Sequence, residues 1–523
     1  MTSLLRTDAI RAIEQREISA GAKLMERAGR AAANAARAML QSAAQHPAHV
    51  LVLAGPGNNG GDALEAAVHL QAWGYRVSVC FAADAERLPP DAAAAHAKWR
   101  AAGGVGSATL PTLDNLDLVI DGLFGIGLTR AIEAPYGGWI DALNAARLPV
   151  LALDVPSGLD ADTGDTKGPC VRAARTLTFI ADKPGLHTLD GPDHAGSIEV
   201  VSLELRFEVP SDDGQLAGRL TGTDDFAALL APRSKNSHKG SFGSLGIVGG
   251  ASGMGGAALL AGRAALKLGA GKVFVGMLDK GGPAVDQIHP ELMLRIAAEM
   301  DYAQCSALVI GPGLGTSVAA RAVMVAGIGS AVPLVLDADA LNLLGGDAAL
   351  AHAIAQRAAP TLLTPHPQEA ARLLGCTTFE VQADRIAAAC KLAQRFRAPV
   401  VLKGVGSVIA APPTRSATSR WWINPTGNPG MASAGMGDAL SGIAGAFLAQ
   451  FASKRPAETV GAGSSQADAA LQSLVGAVFL HGAAADFLVA RGTGPVGLTA
   501  SEIIDTARDL WNHWSTAAQS PTR

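Results

Sequence analysis

The chain has 523 residues, and its 42 Lys and Arg against 46 Asp and Glu give a formal net charge of -4. This length favours two large α/β units, and the absence of a cluster of basic residues argues against a nucleic-acid partner. Hydrophobic residues make up 49% of the chain but aromatic residues only 4%. Such a composition excludes a disordered or fibrous class and favours packed helices around buried strands.

The chain has five cysteines, and they are scattered without a C-x-x-C pair that could seed a zinc or redox site. We expect them to be reduced and mostly buried. The first residues lack a basic stretch followed by an apolar core, and no run of about 18 apolar residues occurs. The sequence therefore predicts a cytoplasmic protein without a membrane partner. The cysteines are Cys80, Cys170, Cys305, Cys376 and Cys390.

From residue 49 onward, short β-branched or Leu-rich runs alternate with Ala-rich segments of helical period, a pattern typical of βαβ units around a parallel sheet. Strands are predicted at 49–53 and 118–120, and a second series at 245–248, 308–310, 334–336 and 400–402. A breaker-rich stretch from 206 to 222 predicts the boundary between a domain at 1–215 and another at 220–510. The segments 454–470 and 515–523 are interpreted as mobile surface without chemistry.

A glycine-rich segment at residues 55–62 follows the strand at 49–53 directly. Glycine lets the backbone approach a ligand closely, and the N-terminus of the next helix offers free N–H groups to an anion. The pattern G-x-G-x-x-G is weak by itself, because any tight turn from strand to helix favours glycine. Asn58, Asn59 and Asp62 add polar groups that a simple turn does not need, so we interpret the segment as a binding loop.

Two further strand ends carry polar clusters, at residues 121–128 and 154–164. Each cluster alone could be an Asx-turn or a helix cap. Ligands of open parallel sheets bind beyond the carboxyl ends of the strands, so we expect the three segments to meet in one crevice.

Together with residues 24–29 and 182–186, these segments resemble the NAD(P)H-hydrate epimerase domain over residues 1 to about 210. The resemblance implies a Rossmann-like three-layer αβα domain in which Asp154 is the acid/base candidate, with Lys183 nearby. It also implies a K⁺ ion held by Asn59, Asp121 and Ser157, whose oxygens suit a hard, weakly charged cation. The implied binding residues for hydrated NAD(P)H are Asn58, Asn59, Gly60, Gly61, Asp62, Gly125, Ile126, Gly127, Leu128, Thr129, Arg130, Ala131 and Asp154.

One residue departs from the epimerase pattern, since Ala63 stands where that family usually has glycine after Asp62. Alanine would be strained if the position needed a positive φ, but it is acceptable in the first turn of a helix. A first domain that only binds nucleotide or dimerises therefore stays an alternative. A dehydrogenase site is disfavoured, because Asn58, Asn59 and Asp62 would lie where a pyrophosphate needs bare backbone.

A second glycine-rich segment at 424–438 precedes an apolar helix at 439–450. Such a segment at a helix N-terminus forms an anion site, and Asp438 beside it is interpreted as a general base, with a helix cap as the alternative. Lys272 is followed by Val273 rather than by a hydroxyl residue, so no Walker A loop is present. His366, between two prolines at a strand end, is held rigidly and is a second candidate.

The segments 237–240, 311–315, 366–369, 403–407 and 434–438 resemble the ribokinase-like NAD(P)H-hydrate dehydratase, over residues from about 220 to 507. Ser433 and Met436 depart from the common threonines of the last segment. The resemblance implies that Ala257, Gly313, Gly315, His366 and Asp438 contact hydrated NAD(P)H. It also implies an adenine nucleotide, ADP or ATP with Mg²⁺, bound by Lys403, Gly404, Val405, Gly406, Ser407 and Gly437.

Both halves together resemble the bifunctional NAD(P)H-hydrate repair enzymes. The resemblance implies that the first domain interconverts R- and S-NAD(P)HX and that the second dehydrates the S form at the expense of ADP or ATP, by phosphorylating the ring hydroxyl. Phosphate is a far better leaving group than hydroxide, so the nucleotide serves to convert the ring hydroxyl into a phosphate ester. A small-alcohol kinase with a non-catalytic first domain is the alternative. The partners are then hydrated NADH or NADPH and the nucleotide, and a homo-oligomer is expected.

Overall fold

The computed structural model describes residues 2–41, 48–128, 130–205, 217–414, 419–453 and 466–517. The chain divides into two compact units, Thr2–Gly218 and Arg219–Arg523. Most of the segment expected to form the boundary lies outside the described residues, as do 454–465 and 518–523. Residues 466–470 were expected to be mobile surface, and this is wrong: they begin a helix in which Ala469 and Ala470 are buried. Residues 515–517 likewise end a helix.

The first unit is built around a parallel sheet with the strand order β4-β3-β2-β5-β6-β7-β8. Strand β1 forms a separate bridge from Leu4 to Asp182. The strands are β1 (Ser3–Leu5), β2 (His49–Ala54), β3 (Arg76–Phe81), β4 (Gly106–Ser107), β5 (Leu118–Gly122), β6 (Val150–Leu153), β7 (Arg175–Phe179) and β8 (Ser197–Val201). The helices are α1 (Thr7–Ser19), α2 (Leu24–Gln41), α3 (Asn58–Ala72), α4 (Pro90–Ala101), α5 (Tyr136–Ala146) and α6 (Gly191–His194).

The central strands of this sheet are covered on both faces. Val50 and Val52 of β2 belong to a core with α2, α3 and α4, whereas Leu51 and Leu53 belong to a second core with α5. Successive side chains of a strand point to opposite faces, so continuous apolar runs such as β2 fit a strand buried on both sides. The predicted αβα architecture and the strands at 49–53 and 118–120 are confirmed.

The order of the sheet reverses where β2 lies between β3 and β5. In open α/β sheets such a switch point opens a crevice at the carboxyl ends of the neighbouring strands. The segments after β2, β5 and β6 all begin at this edge, which positions the first candidate site.

The second unit contains a larger sheet, with the order β9-β18-β17-β16-β15-β14-β13-β10-β11-β12. Its strands pair in parallel except for the antiparallel β16–β17 and β17–β18 pairs. The strands are β9 (Ala217–Leu220), β10 (Ser244–Gly249), β11 (Lys272–Met277), β12 (Met293–Ile296), β13 (Ala307–Ile310), β14 (Leu334–Leu336), β15 (Thr361–Leu363), β16 (Val400–Leu402), β17 (Val408–Ala410) and β18 (Trp421–Ile423).

Helices follow most parallel strands of this unit, and the predicted strands at 245–248, 308–310, 334–336 and 400–402 are confirmed. The helices are α7 (Gly255–Lys267), α8 (Val318–Gly329), α9 (Asp339–Gly346), α10 (Ala348–Ala355), α11 (Pro367–Leu374), α12 (Thr378–Ala383), α13 (Arg385–Phe396), α14 (Met436–Ser453), α15 (Gln466–Ala490) and α16 (Ala500–Ala517). Small residues bring α7 and α14 together: a Cβ at Gly442 would lie 2.2 Å from the carbonyl oxygen of Ala261.

Helix α15 is the one described helix that is long and apolar enough to cross a membrane by length and composition, yet 61% of its most apolar window is buried inside the protein. It packs against α14 and α16, and residues such as Leu474, Ala477 and Ala484 belong to the main core of the second unit. This burial identifies α15 as a core helix. Of the five cysteines, which are all free, Cys80, Cys170 and Cys305 are buried.

Candidate active sites

The glycine-rich segment of the first unit was interpreted as a loop, and this is wrong for its second half: Asn58, Asn59, Gly60, Gly61 and Asp62 form the first turn of α3. A Cβ at Gly60 would lie 2.1 Å from the carbonyl oxygen of Gly55. The turn therefore packs directly on the backbone that leaves β2. This close packing places Asn59 inside the crevice, where it is buried, while Asn58 stays exposed.

Asp121 and Ser157 lie together at the ends of β5 and β6. Asp121 is fully buried and accepts hydrogen bonds from the Ser157 backbone N–H at 2.8 Å and from its hydroxyl at 2.7 Å. Burial nevertheless raises the pKa of Asp121 to about 6. Near them, the buried Oδ1 and Nδ2 of Asn59 have no hydrogen-bond partner in the described part of the chain. One of the cation ligands predicted from the sequence is thus a buried carboxamide that has no hydrogen-bond partner among the described residues.

Asp154 follows β6, and its two carboxylate oxygens have different partners. Its Oδ1 lies 2.7 Å from the Nζ of Lys183, and its Oδ2 accepts a hydrogen bond from the backbone N–H of Ile126 at 3.3 Å. A Cβ at Gly125 would lie 3.1 Å from the Oδ2 of Asp154 and 3.4 Å from the Cγ of Asn59. The structure therefore brings Asn59, Gly125, Ile126 and Asp154 together.

The rest of the predicted substrate loop is less enclosed. The Leu128 N–H donates to the carbonyl of Gly125, which closes a turn. Gly127, Arg130 and Ala131 are exposed, and Thr129 lies outside the described residues. For Arg130 and Ala131 the structure gives no contact with Asn59 or Asp154 in the part of the chain that it describes.

Helix α1 contributes charged residues to this site that the sequence analysis missed. Burial and the nearby Asp154 raise the pKa of Glu14, and burial together with Asp154 and Glu14 raises the pKa of Asp62 well above its usual value. The guanidinium of Arg11 would lie 3.9 Å from a Cβ at Gly127. Neither Glu14 nor Arg11 lies in a glycine-rich or strand-end segment, so no local pattern could have identified them.

Ala63 is fully buried in the first helical stretch of α3 and does not have a positive φ. Its Cβ lies against Gly122, since a Cβ on that glycine would be 2.4 Å from it. The departure from the usual glycine therefore introduces no backbone strain.

In the second unit, Asp438 is the third residue of α14, so the interpretation as a helix cap is not supported. Burial and the negative charge of Asp337 raise the pKa of Asp438 to about 6. Among the described residues its carboxylate has no hydrogen bond or ion pair. A carboxylate with a pKa near neutrality at the edge of an anion site is suited to act as a general base.

Lys403, which follows β16, lies directly beside this helix N-terminus. Its Nζ is 2.8 Å from the Oδ1 of Asp337 and 3.9 Å from the Oε2 of Glu369, and a Cβ at Gly437 would be 3.4 Å from it. Burial alone would lower the pKa of Lys403, but Asp337 and Glu369 raise it. An ammonium group therefore lies next to the amides of the Gly437 turn, as an anion site requires.

The segment from 403 to 407 forms the turn between β16 and β17. Gly404 has a φ of +141°, and the hydroxyl of Ser407 donates to its carbonyl at 2.9 Å. The buried Arg385 donates to the carbonyls of Leu402 and Lys403 from below. Val405 and Gly404 are exposed, so this turn is available to a ligand.

His366 caps helix α11. Its Nδ1 accepts hydrogen bonds from the N–H groups of Gln368 and Glu369, while Glu369 in return accepts from the His366 N–H at 2.8 Å. Burial lowers the pKa of His366 and raises that of Glu369 to about 7. Nε2 of His366 lies 3.3 Å from Oε1 of Glu369, and the side chain is 43% exposed, so the ring is held at both nitrogens while part of it can still meet a ligand.

Ala257, Gly313 and Gly315 lie close together in the second unit. A Cβ at Gly313 would be 3.2 Å from that of Ala257, and the Gly315 N–H donates to Asp339 at 2.8 Å.

The sequence analysis also missed His481 on α15. This side chain is buried, and its Nε2 has no hydrogen-bond partner among the described residues. Burial lowers the pKa of His481 to about 4.

Within the described ranges, no group of three or more His, Cys, Asp or Glu residues is arranged to hold a metal ion. Each unit instead brings glycines and charged side chains together at the carboxyl ends of its own parallel strands, an arrangement typical of α/β enzymes.

Comparisons with known proteins show which family the chain resembles. The family model described as NAD(P)H-hydrate dehydratase matches residues 245–508, and that described as YjeF-related protein N-terminus matches residues 21–185. The chain is 37% identical over 98% of its length to the whole bifunctional NAD(P)H-hydrate repair enzyme Nnr of Coxiella burnetii. It is 38% identical to that of Escherichia coli, with 94% of this chain and 89% of the relative covered. A crystal structure of ADP/ATP-dependent NAD(P)H-hydrate dehydratase from Bacillus subtilis covers 56% of this chain and 99% of its own, with 27% identity and a TM-score of 0.46.

The chain belongs to the family of bifunctional NAD(P)H-hydrate repair enzymes. The predicted activities, epimerisation of NAD(P)HX and dehydration of its S form, are confirmed by these relatives.

Proposed function

We propose that Asp154 is the acid/base residue of the epimerase and that hydrated NAD(P)H is bound by residues 58–62, by residues 125–131 and by Asp154 itself. The observation that carries this proposal is the convergence of Asn59, Gly125, Ile126 and Asp154 at the switch point of the first sheet. The carboxylate can take the proton of the ring hydroxyl as the carbon–nitrogen bond at the hydrated carbon opens to an aldehyde, and can return it when the nitrogen closes the ring on the opposite face.

Asn59, Asp121 and Ser157 would hold a K⁺ ion in this site. The donor set fits, because among the described residues Oδ1 of Asn59 is buried without a hydrogen-bond partner and the buried Asp121 has no ion pair. Hard cations prefer such carboxamide, carboxylate and hydroxyl oxygens. A bound K⁺ would supply positive charge at the crevice and orient the first turn of α3.

For the dehydratase we propose that Asp438 takes the proton of the ring hydroxyl while the amides of Gly435, Met436 and Gly437 stabilise the transferred phosphoryl group. The oxygen of the substrate then leaves as phosphate rather than as hydroxide. His366, Ala257, Gly313 and Gly315 would contact the hydrated nicotinamide nucleotide. Two observations support this role: Asp438 lies in the first turn of α14, and its pKa is close to neutral.

The adenine nucleotide would lie against Lys403, Gly404, Val405, Gly406, Ser407 and Gly437. Lys403 and the helix N-terminus give this site its positive charge. Asp337 accepts from Lys403 and Thr364, and Glu369 accepts from His366, so both carboxylates already have protein partners. A Mg²⁺ ion therefore fits best as a partner of the nucleotide phosphates, whose charge it would neutralise, rather than in a protein cage.

We further propose that the epimerase domain extends over 1–215 and the dehydratase domain over 220–510, and that the enzyme is a cytoplasmic homo-oligomer. The free cysteines, of which Cys80, Cys170 and Cys305 are buried, support a reducing compartment.

The decisive experiment is a chromatographic time course of an R/S mixture of NADHX with purified protein, K⁺ and Mg²⁺, run without nucleotide, with ADP and with ATP. Conversion of both epimers with one nucleotide identifies the donor and supports both sites. Loss of the S form alone would make the first unit a binding module. A stable phosphorylated product would favour the kinase alternative.

A further inference from the structure

Lys183 is completely enclosed in the epimerase site, with a side chain that is 0% exposed. Its Nζ lies 2.7 Å from the Oδ1 of Asp154 and donates to the hydroxyl of Thr178 at 2.7 Å, to the carbonyl of Phe179 at 3.0 Å and to that of Ala181 at 3.2 Å. An ammonium group has three donors. These acceptors therefore use its whole donor capacity.

The backbone around Lys183 is shaped to receive this ammonium group. Ile180 has a φ of +69°, a conformation that a β-branched residue rarely adopts and that persists only where the surroundings impose it. The left-handed residue lies between Phe179 and Ala181, whose carbonyls both accept from Nζ. Asp154 also has a positive φ, +68°. Two residues with a left-handed backbone conformation, at the ends of adjacent strands, thus lie around the ammonium group of Lys183.

The two carboxylate oxygens of Asp154 face different groups. Oδ1 faces Lys183 and also accepts from the Phe179 N–H at 3.4 Å, while Oδ2 faces the substrate segment through Ile126. Other charged groups around Asp154 come from α1, with Glu14 and Arg11, and from α3, with Asp62. Of these, Glu14 and Asp62 are carboxylates like Asp154 itself, whereas Lys183 is a cation that pairs directly with Oδ1.

We propose that Lys183 is a positioning residue of the epimerase, which holds Oδ1 of Asp154 and so fixes its Oδ2 toward the substrate without touching the substrate itself. This inference rests on the proposed role of Asp154. A direct role in proton transfer conflicts with the full burial of Nζ and with its complete set of protein acceptors.

The test compares Lys183→Met with Lys98→Met in the full chain, using the R epimer without nucleotide and a blank without enzyme. Lys98 is a matched control, because it also makes a 2.7 Å ion pair, with Glu65, but its side chain is 45% exposed. We expect Lys183→Met to lower kcat of epimerisation by about 100-fold or more, with a small change in KM, because Asp154 loses the partner that fixes its Oδ2 while the other substrate-binding segments are unchanged. Lys98→Met should keep its rate.

The split between kcat and KM separates positioning from a general loss of structure, because a distorted site would weaken substrate binding as well. An unchanged kcat in Lys183→Met would overturn the inference.

The double variant Asp154→Asn/Lys183→Met keeps the test valid if Lys183→Met does not fold, because it removes both charges together. If Lys183 acts through Asp154, the double variant should be no slower than Asp154→Asn alone. A further loss in the folded double variant would overturn the inference. Normal epimerisation by Asp154→Asn would instead overturn the proposed function. Loss in Asp154→Asn with a normal rate in Lys183→Met would overturn the inference alone.

Discussion

Asp154 and Asp438 are carboxylates in opposite electrostatic surroundings. Asp154 has a buried ammonium group 2.7 Å away, whereas Asp438 has no ion-pair partner among the described residues and lies near the negative Asp337. The first environment holds the carboxylate in a fixed position, and the second favours a group that exchanges its proton near neutral pH. The two sites thus place the same type of side chain in different electrostatic environments.

Replacing Asp438 with asparagine should abolish dehydration and leave epimerisation intact. The carboxamide keeps the shape of the side chain but cannot take the hydroxyl proton, and a general base contributes about 10²–10⁴-fold. The measurement is NADH formation from S-NADHX with nucleotide, with R/S exchange in the same preparation as the control. Retained dehydration would remove Asp438 from the role of base.

The dehydratase should lose activity as the pH falls through about 6, the raised pKa of Asp438. A base works only when ionised, so kcat should be highest above this pH and should decrease below it. The profile of kcat at saturating substrate and nucleotide measures this limb. A flat profile down to about pH 5 would show that another group takes the proton.

Individual site residues could be predicted from sequence where a motif marks them. Asp438, Lys403 and Asn59 stand in glycine-rich segments at strand ends, and the structure places each in a crevice. The roles of Lys183 and Glu14 could not be derived in this way, because they depend on contacts with Asp154, which is far away along the chain. Such contacts follow from the strand order, which no local pattern contains.

At the scale of single elements, the first turn of α3 is the feature on which the epimerase site depends. Gly60 packs on Gly55 with no space for a side chain, and the same turn carries Asn59. Any displacement of this turn moves the carboxamide away from Asp121 and Ser157. The geometry of the turn is therefore as important as its polar groups.

Gly60→Ala should disable epimerisation, because its Cβ would be 2.1 Å from the Gly55 carbonyl oxygen and the turn would have to shift. Overpacking of this kind costs about 1–3 kcal/mol or more of folding stability. Gly138→Ala in α5 is the matched control, since no atom lies within 4 Å of its Cβ position. Epimer exchange and thermal unfolding of both variants give the comparison. Equal behaviour of the two variants would contradict the close packing that we describe.

The elements themselves were predictable where apolar runs are short and bounded. Strands β14 and β16 begin and end as predicted, at 334–336 and 400–402. The second half of segment 55–62 was interpreted wrongly, because glycine is common both in loops and in helix N-termini that pack closely on other backbone. Only the packing of Gly60 on Gly55 decides between the two. Likewise, 466–470 is rich in small and polar residues, yet burial against the core makes it helical.

At the scale of the whole molecule, the two activities belong to two compact units with separate cores. The proposed cation ligands lie entirely within Thr2–Gly218, and the proposed nucleotide site lies within Arg219–Arg523. Conditions that affect one site can therefore be chosen so that the other serves as an internal reference.

Replacing K⁺ with choline should abolish R/S exchange while dehydration of S-NADHX continues. Asn59 and Asp121 would lose their shared cation, and choline is too large to replace it. The assay follows both epimers chromatographically in K⁺ and in choline at equal ionic strength. Unchanged exchange in choline would exclude these residues as a required cation site.

The different exposure of two lysines has a consequence for chemical labelling. Lys183 is 0% exposed, whereas the side chain of Lys403 is 21% exposed beside the anion site. Asp337 and Glu369 raise the pKa of Lys403 and so slow its acylation. At alkaline pH, an amine-acylating reagent should nevertheless modify Lys403 in the native protein and inactivate dehydration, while epimerisation survives until the first unit unfolds. Bound nucleotide should protect Lys403, so the two activities would report separately on ligand occupancy and on unfolding.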